Sequence, residues 1–350
     1  MKSQEKINLA SDNCAPTHPL ILQAIIEANE GFASSYGSDP WTYEAEQLIQ
    51  EAFGKSCKVF FVTTGTGANI FALRLMCQRH ESVICTDITH LQRQESGAVE
   101  ALVGCKLLTV GHRKGKITPE ELLRKLKDER MSGKHSTFPR ILSVTQPTEI
   151  GTVYTLEELA CLSKVCKEEN LLFHIDGSRF YNAAVRLDVS LNEMISSIQL
   201  DVLSLGGTKN GLMSAESLII FNSDLEDGSD YLQKQTLQLL SKMRYLSAQY
   251  IPFFKNDLWR SLAAHANQKA EELVSIIKDI PQFSLSCPVE TNQIFFTAPP
   301  SWIPLIQEKI SCYLWNLGKS EIRFITSWNT SEQDIKNVRM ILREISEKTV

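Results

Sequence analysis

The stretch Leu-Ser-Leu-Gly-Gly-Thr-Lys-Asn-Gly, Leu203 to Gly211, ends an apolar run in a glycine pair and then presents one lysine, Lys209. A lysine made less basic by its surroundings can condense with a carbonyl, although most lysines are solvated surface charges. Three other stretches offer complementary groups. Thr-Thr-Gly-Thr-Gly-Ala-Asn, Thr63 to Asn69, follows the apolar run Lys58–Val62 and leads into a helix expected over Ala68–Cys77. Its free N–H groups form either an anion site or an ordinary strand-to-helix turn with a threonine cap. His-Ile-Asp-Gly-Ser-Arg, His174 to Arg179, puts Asp176 at the end of Leu171–Ile175, as a ligand carboxylate or as a cap paired with Arg179. His90 follows Ser82–Thr86, placed to stack on a planar ligand, to move protons, or simply to support the turn.

Taken singly, each stretch has an unremarkable reading. Their order along the chain favours one explanation: phosphate-like turn, imidazole, carboxylate and lysine, each at a strand end. Pyridoxal 5′-phosphate needs these types. Its phosphate suits a helix N-terminus, its ring nitrogen a carboxylate that keeps it protonated, its aldehyde a lysine, and its ring face a stacking partner.

The elements that position these groups follow from hydrophobic pattern. Lys58–Val62, Ser82–Thr86, Lys106–Val110, Arg140–Thr145, Leu171–Ile175, Val202–Leu205 and Ser217–Phe221 are short, continuous apolar runs, as in strands covered on both faces. Helical stretches separate many of them. Pro119–Lys127 and Leu156–Glu168 each begin with a Thr-x-x-Glu capping box, at Thr118 and Thr155. Strand alternating with helix predicts an α/β fold with a mostly parallel seven-stranded sheet. Too few residues join Val202–Leu205 to Ser217–Phe221 for a helical crossover, so that pair is expected to be antiparallel and the sheet mixed.

Glu226–Gln249 reads as helical, and the break Ile251–Lys255 divides a large domain, 1–250, from a small α+β domain, 251–350, with residues 1–14 packing on the latter. That second part reads as a helix (Asp257–Lys278), a strand pair (Phe283–Ser286 and Gln293–Thr297), a helix (Trp302–Leu317), a strand (Glu321–Thr326) and a last helix (Ser331–Lys348).

Composition narrows the partners. The net charge of −5 argues against a nucleic-acid or anionic-membrane binder. No apolar run is long enough to span a bilayer, and the first residues lack a stretch of signal-peptide length. The nine cysteines include no C-x-x-C pair and no metal-ligand spacing, which fits scattered thiols in a reducing cytoplasm.

With these residues assembled, the chain resembles the threonine aldolases, fold-type-I enzymes of pyridoxal phosphate. The likeness runs from Ala10–Asn13 through Ser35–Thr42, the Thr64–Asn69 turn, Thr145–Tyr154, His174–Ala183 and Gly206–Gly211 to Ser241–Gln249. The resemblance implies a lyase that converts L-threonine or L-allo-threonine to glycine and acetaldehyde, as a homodimer or homotetramer with active sites at the subunit interface. It implies that Lys209 bonds the cofactor aldehyde, Asp176 pairs with the ring nitrogen and His90 stacks on the ring. Gly65, Thr66 and Thr208 would hold the phosphate, with Arg244 reaching it from a neighbouring subunit. Ser11, Arg179 and Arg323 would bind the substrate carboxylate, for which an arginine fork is suited. The base that takes the β-hydroxyl proton stays open between His90 through a water and a water on the phosphate. Other fold-type-I activities, such as β-elimination or racemisation, share every cofactor residue. Thr145–Thr148 and the Leu-Leu-Ser-Lys run before Met243 and Arg244 depart from the family's pattern, as does Ser178 where alanine is commoner.

Overall fold

A computed structural model describes residues 6–348. Among these residues no helix is long and apolar enough to cross a membrane. The strands, in chain order, are β1 (Ile7–Asn8), β2 (Lys58–Val62), β3 (Glu81–Thr86), β4 (Lys106–Val110), β5 (Phe138–Thr145), β6 (Leu172–Gly177), β7 (Val202–Leu205), β8 (Glu216–Ile220), β9 (Ser284–Leu285), β10 (Gln293–Thr297), β11 (Ile310–Ser311), β12 (Tyr313–Asn316) and β13 (Glu321–Ile325).

Seven of them form one sheet in the order β2-β8-β7-β6-β5-β3-β4. β3, β4, β5, β6 and β7 pair in parallel, and β8 runs opposite to both of its neighbours, so the sheet is mixed as the short β7–β8 connection predicted. Phe173, Ile175, Leu203 and Leu205 are fully buried. Each such side chain contributes about 1.5–3 kcal/mol relative to exposure. The consequence for function is directional. The carboxyl ends of β2, β3, β5, β6 and β7 all emerge at one sheet edge, where open α/β sheets bind ligands.

Most sheet strands and the two capping boxes lie where the pattern put them. Both boxes are closed reciprocally, at Thr118 with Glu121 and at Thr155 with Glu158. Three expectations need correction. The helix after β2 begins at Gly65, not Ala68, because Thr64 caps it by accepting from Gly67 N–H. Glu226–Gln249 is not one helix. Only Ser229–Gln235 and Arg244–Ser247 are helical within it, and Leu237 takes φ 63° between them. Trp302–Leu317 is helical only over Ile303–Lys309. Beyond it Ile310 turns extended and pairs in parallel with Ile7, and Tyr313–Asn316 joins β13. Pairing with distant strands and the β preference of Ile310, Tyr313 and Trp315 override the apparent helical pattern.

The chain's C-terminal part is a four-stranded antiparallel sheet, β12-β13-β10-β9, backed by helices Leu258–Lys278 and Glu332–Lys348. The long helix joins two cores. Trp259 and Leu262 pack with the large sheet, while Leu273 and Ile277 pack with Ile294, Phe296 and Phe324. Leu9 also enters this second core. Residues 1–5, part of the segment expected to pack there, lie outside the described residues.

Candidate active site

Lys209 sits in a one-turn 3-10 segment, Thr208–Asn210, directly after β7 and the glycine pair. A Cβ on Gly206 would lie 2.4 Å from Ser178 O, and one on Gly207 would lie 2.4 Å from Ala215 O. The backbone therefore packs too closely there for any side chain, and this closeness turns Lys209 back over the sheet edge. Lys209 faces a cavity of about 410 Å³ shared with His90, Asp176, Arg179 and Arg323. Among the described residues Nζ makes no hydrogen bond or ion pair. Burial lowers its proton affinity, and nearby Arg179 adds to that, against the pull of Asp12, Asp176 and Glu216. An amine held this way is available as a nucleophile.

Asp176 ends β6 and is buried. Its Oδ1 accepts from Ser178 N–H at 3.0 Å and Ser178 Oγ at 2.7 Å. Oδ2 accepts from Asn69 Nδ2 at 2.9 Å. Burial works to raise its pKa, but His90, the Ser178 and Asn69 hydrogen bonds and Lys209 outweigh it, so the group stays anionic. Among the described residues Oδ2 accepts only this bond, and Asp176 lines the cavity.

His90 begins a short helix after β3. Its Nδ1 lies 2.8 Å from Oε1 of buried Glu95, which also accepts from Asn69 Nδ2 at 2.9 Å. Asn69 thus ties two carboxylates together. The Glu95 hydrogen bond is the main reason the His90 pKa is raised; burial opposes it and Asp176 adds to it. The neighbouring His174 is structural. It lies between Ser143 Oγ at 2.9 Å and Ser204 Oγ at 3.0 Å, and burial lowers its pKa to about 4.

The opposite wall comes from the small sheet. The guanidinium of Arg323, on β13, lies over the ring of Trp315 at 4.4 Å and over that of Tyr313 at 5.1 Å. Its Nη2 donates to Ala10 O at 3.2 Å, and its buried Nε has no partner among the described residues. Burial, with Arg179 nearby, lowers its pKa to about 10. Arg179 is placed differently. It makes a fork onto buried Asp12, 2.6 Å from Nε and 2.9 Å from Nη2, so less of its guanidinium is free for a substrate. Ser11 lines the cavity and caps the turn Asp12–Cys14 by accepting from Asn13 N–H.

The phosphate candidates sit apart from this group. Gly67 and Ala68 N–H are satisfied by Thr64, which leaves Gly65 and Thr66 N–H at the start of the helix without intrahelical acceptors. Gly65 lies beside Ser178, a cavity residue. Thr208 Oγ1 accepts from Ala215 N–H at 3.2 Å and bonds to Glu216. Arg244 is away from the cavity, donating to Gly31 O at 3.1 Å.

Sequence reasoning missed Glu149, Glu95, Asn69, Asp12, Tyr313 and Trp315. Glu149 and Asn69 were inside quoted motifs but carried no type signal of their own. Tyr313 and Trp315 were hidden by the helical reading of their segment.

The site residues fit pyridoxal phosphate. Among the described residues, a lysine without a hydrogen bond, a buried aspartate with spare acceptor capacity and two N–H groups without acceptors lie on one sheet edge, in the arrangement of a fold-type-I pyridoxal phosphate enzyme. Comparison with known proteins agrees. The model of the family described as beta-eliminating lyase matches residues 8–299. The low specificity L-threonine aldolase of Pseudomonas aeruginosa is 39% identical over 337 residues, covering 96% of each chain. That of Saccharomyces cerevisiae is 27% identical, covering 82% of this chain and 73% of its own. The solved threonine aldolase of Leishmania major superposes with a TM-score of 0.92 at 29% identity, covering 97% of this chain and 99% of that one. The chain belongs to the beta-eliminating lyase family and, within it, to the threonine aldolases. It is a pyridoxal-phosphate-dependent lyase.

Proposed function

We propose that the protein cleaves L-threonine and L-allo-threonine between Cα and Cβ, giving glycine and acetaldehyde, and acts on β-hydroxy-α-amino acids of this kind. The observation that carries this reading is the convergence of Lys209, Asp176 and Arg323 on one cavity. The names of the relatives supply the substrate and its L configuration.

Bound pyridoxal phosphate supplies an aldehyde for amine condensation and a protonated ring that accepts the electron pair of a breaking bond. Lys209 would bond that aldehyde and Asp176 would hold the proton on the ring nitrogen. His90 would lie against the ring face, and Gly65 and Thr66 would hold the phosphate with Thr208 at its edge. Arg323, with Ser11 and the free part of Arg179, would take the substrate carboxylate. Holding that group at one wall would fix the rotation about Cα, which decides which of its bonds is broken. The Tyr313 and Trp315 rings beside the Arg323 guanidinium help to keep it from swinging away.

The reading includes a homodimer or homotetramer with the site completed across subunits. Arg244 sits outside its own cavity, and Phe32, Tyr36 and Leu237 are exposed on the segments around it. Exposed apolar residues grouped like this favour an interface. A cytoplasmic location is part of the same reading, supported by nine free cysteines.

The test is an absorbance spectrum of the purified protein, followed by an acetaldehyde-coupled assay on L-threonine and L-allo-threonine. A visible band bleached by borohydride and acetaldehyde from either substrate are expected. Cofactor bound with no acetaldehyde would remove the aldolase reading. Pyruvate from serine, or racemised product, would then identify the alternative activity.

A further inference from the structure

We propose that Glu149 is the group that takes the β-hydroxyl proton when Cα–Cβ breaks, an assignment that rests on the aldolase reading above. Glu149 lies in the loop after β5 and lines the same cavity as Lys209 and His90. Its Oε1 accepts from Thr145 Oγ1 at 2.6 Å and from His90 N–H at 2.9 Å. Glu149's own backbone N–H also bonds the carboxylate, and no other described residue donates to it. Oε1 is therefore held by two neighbours, and Oε2 accepts from no other described residue.

The mount is rigid. Gln146 clamps the loop to Tyr154, accepting from its N–H and donating to its carbonyl, both at 2.9 Å. Thr148 N–H donates to Thr152 O at 2.8 Å, and their hydroxyls lie 2.7 Å apart. A base held this way is preorganised for one proton position.

The other groups on the cavity are spoken for. Asp176 is anionic and directed to the ring nitrogen. His90 is tied through Nδ1 to Glu95 at 2.8 Å, a contact that raises its pKa, and its ring is assigned to the cofactor face. Lys209 is assigned to the covalent bond. Glu149 faces His90 from the helix after β3, Asp176 from β6, and Thr145 from its own strand, while Cys85 on β3 and Tyr154 sense its charge. Burial raises its pKa and Asp176 adds to this, against the hydrogen bonds, which makes it a better base than an exposed carboxylate.

The step balances. The β-hydroxyl proton passes to Oε2, the O–H pair becomes the second bond of the aldehyde carbonyl, and the Cα–Cβ pair remains on Cα. Cα then takes a proton to give glycine, and Glu149 returns its own to solvent through the cavity, so no net proton is used.

The test compares Glu149→Gln with the wild-type holoenzyme in two reactions. Threonine cleavage needs a β-hydroxyl base, whereas exchange of the glycine α-proton with D₂O, followed by NMR, does not. Cleavage should fall by about 10²–10⁴, with exchange within threefold of wild type and the visible band unchanged. A fall in cleavage of less than tenfold, or an equal fall in exchange, overturns the assignment. If E149Q does not fold, Glu149→Ala is assayed with sodium formate: tenfold restoration of cleavage supports the assignment, and no restoration overturns it. A wild-type enzyme that exchanges glycine protons but releases no acetaldehyde refutes the aldolase reading itself, and this proposal with it.

Discussion

Two walls face each other across the cavity, and different physics holds them. The sheet-edge wall carries His90, Glu149, Asp176 and Lys209 from the ends of parallel strands. His90 and Asp176 are linked by hydrogen bonds of 2.7–2.9 Å through Asn69, Glu95 and Ser178, and Glu149 accepts from His90 N–H, while Lys209 Nζ has no hydrogen-bond partner among the described residues. The small-sheet wall carries Arg323, held by two aromatic faces and one backbone carbonyl, with a buried Nε unpartnered. Apart from Lys209, the first wall is over-determined by these bonds. The second leaves a cation with unsatisfied donors, and such a group gains most when an anion arrives. On the proposed reading, the chemistry belongs to the bonded wall and the affinity to the unsatisfied one.

The largest expected effect tests the bonded wall. Lys209→Ala should lower cleavage by more than about a thousandfold and end covalent attachment of the cofactor. Borohydride treatment followed by peptide mass spectrometry reads this directly. A cofactor label that persists in K209A on another residue would move the chemistry off this wall.

The next effect separates the two arginines. Arg323→Lys keeps the charge but loses the planar fork and its stacking, so kcat/KM for threonine should fall by about 10–100-fold, from charge-assisted bonds of roughly 1.5–3 kcal/mol. Arg179→Lys should cost less in kcat/KM and more in stability, because its fork is already occupied by Asp12. Steady-state kinetics and thermal unfolding of both variants decide between them. A larger kinetic loss in R179K than in R323K would put substrate affinity on the sheet-edge wall.

The same contrast explains what the sequence made legible. The bonded wall sits where strand ends meet loops, and those ends show as apolar runs stopping at Thr64, Asp176 and Gly206. Lys209, Asp176 and His90 could therefore be placed on one edge before any geometry was known. Arg323 was found only through family resemblance. The rings that stack on it were not found, because Trp302–Leu317 reads as one helix until Ile310 pairs with Ile7 from the opposite end of the chain. Glu149 and Glu95 were missed for another reason. A glutamate in a loop looks solvated, and only the fold buries one beside His90, with no other described residue donating to its second oxygen.

The smallest effect concerns the far end of the bonded wall and depends on pH. Glu95 is buried and holds His90 by a 2.8 Å bond, raising the pKa of the imidazole above its ordinary 6.5. A raised folded-state pKa means the stabilisation is full below pH 6.5 and is lost as pH rises through the folded value. Glu95→Gln keeps the shape of the side chain and removes its charge. Unfolding free energy should therefore fall by about 1 kcal/mol at pH 5.5, a figure kept low because about a third of the His90 side chain is open to solvent. At a pH above the folded-state pKa of His90 the imidazole is neutral in both proteins and the loss should vanish or reverse, since the variant no longer buries a carboxylate with an unpartnered oxygen. An NMR titration should place the His90 pKa of E95Q below that of the wild type. Equal losses at both pH values would mean that Glu95 acts on His90 through packing alone. The proton on the imidazole would then not be set by this wall, and the argument that removes His90 as the β-hydroxyl base in favour of Glu149 would lose one of its supports.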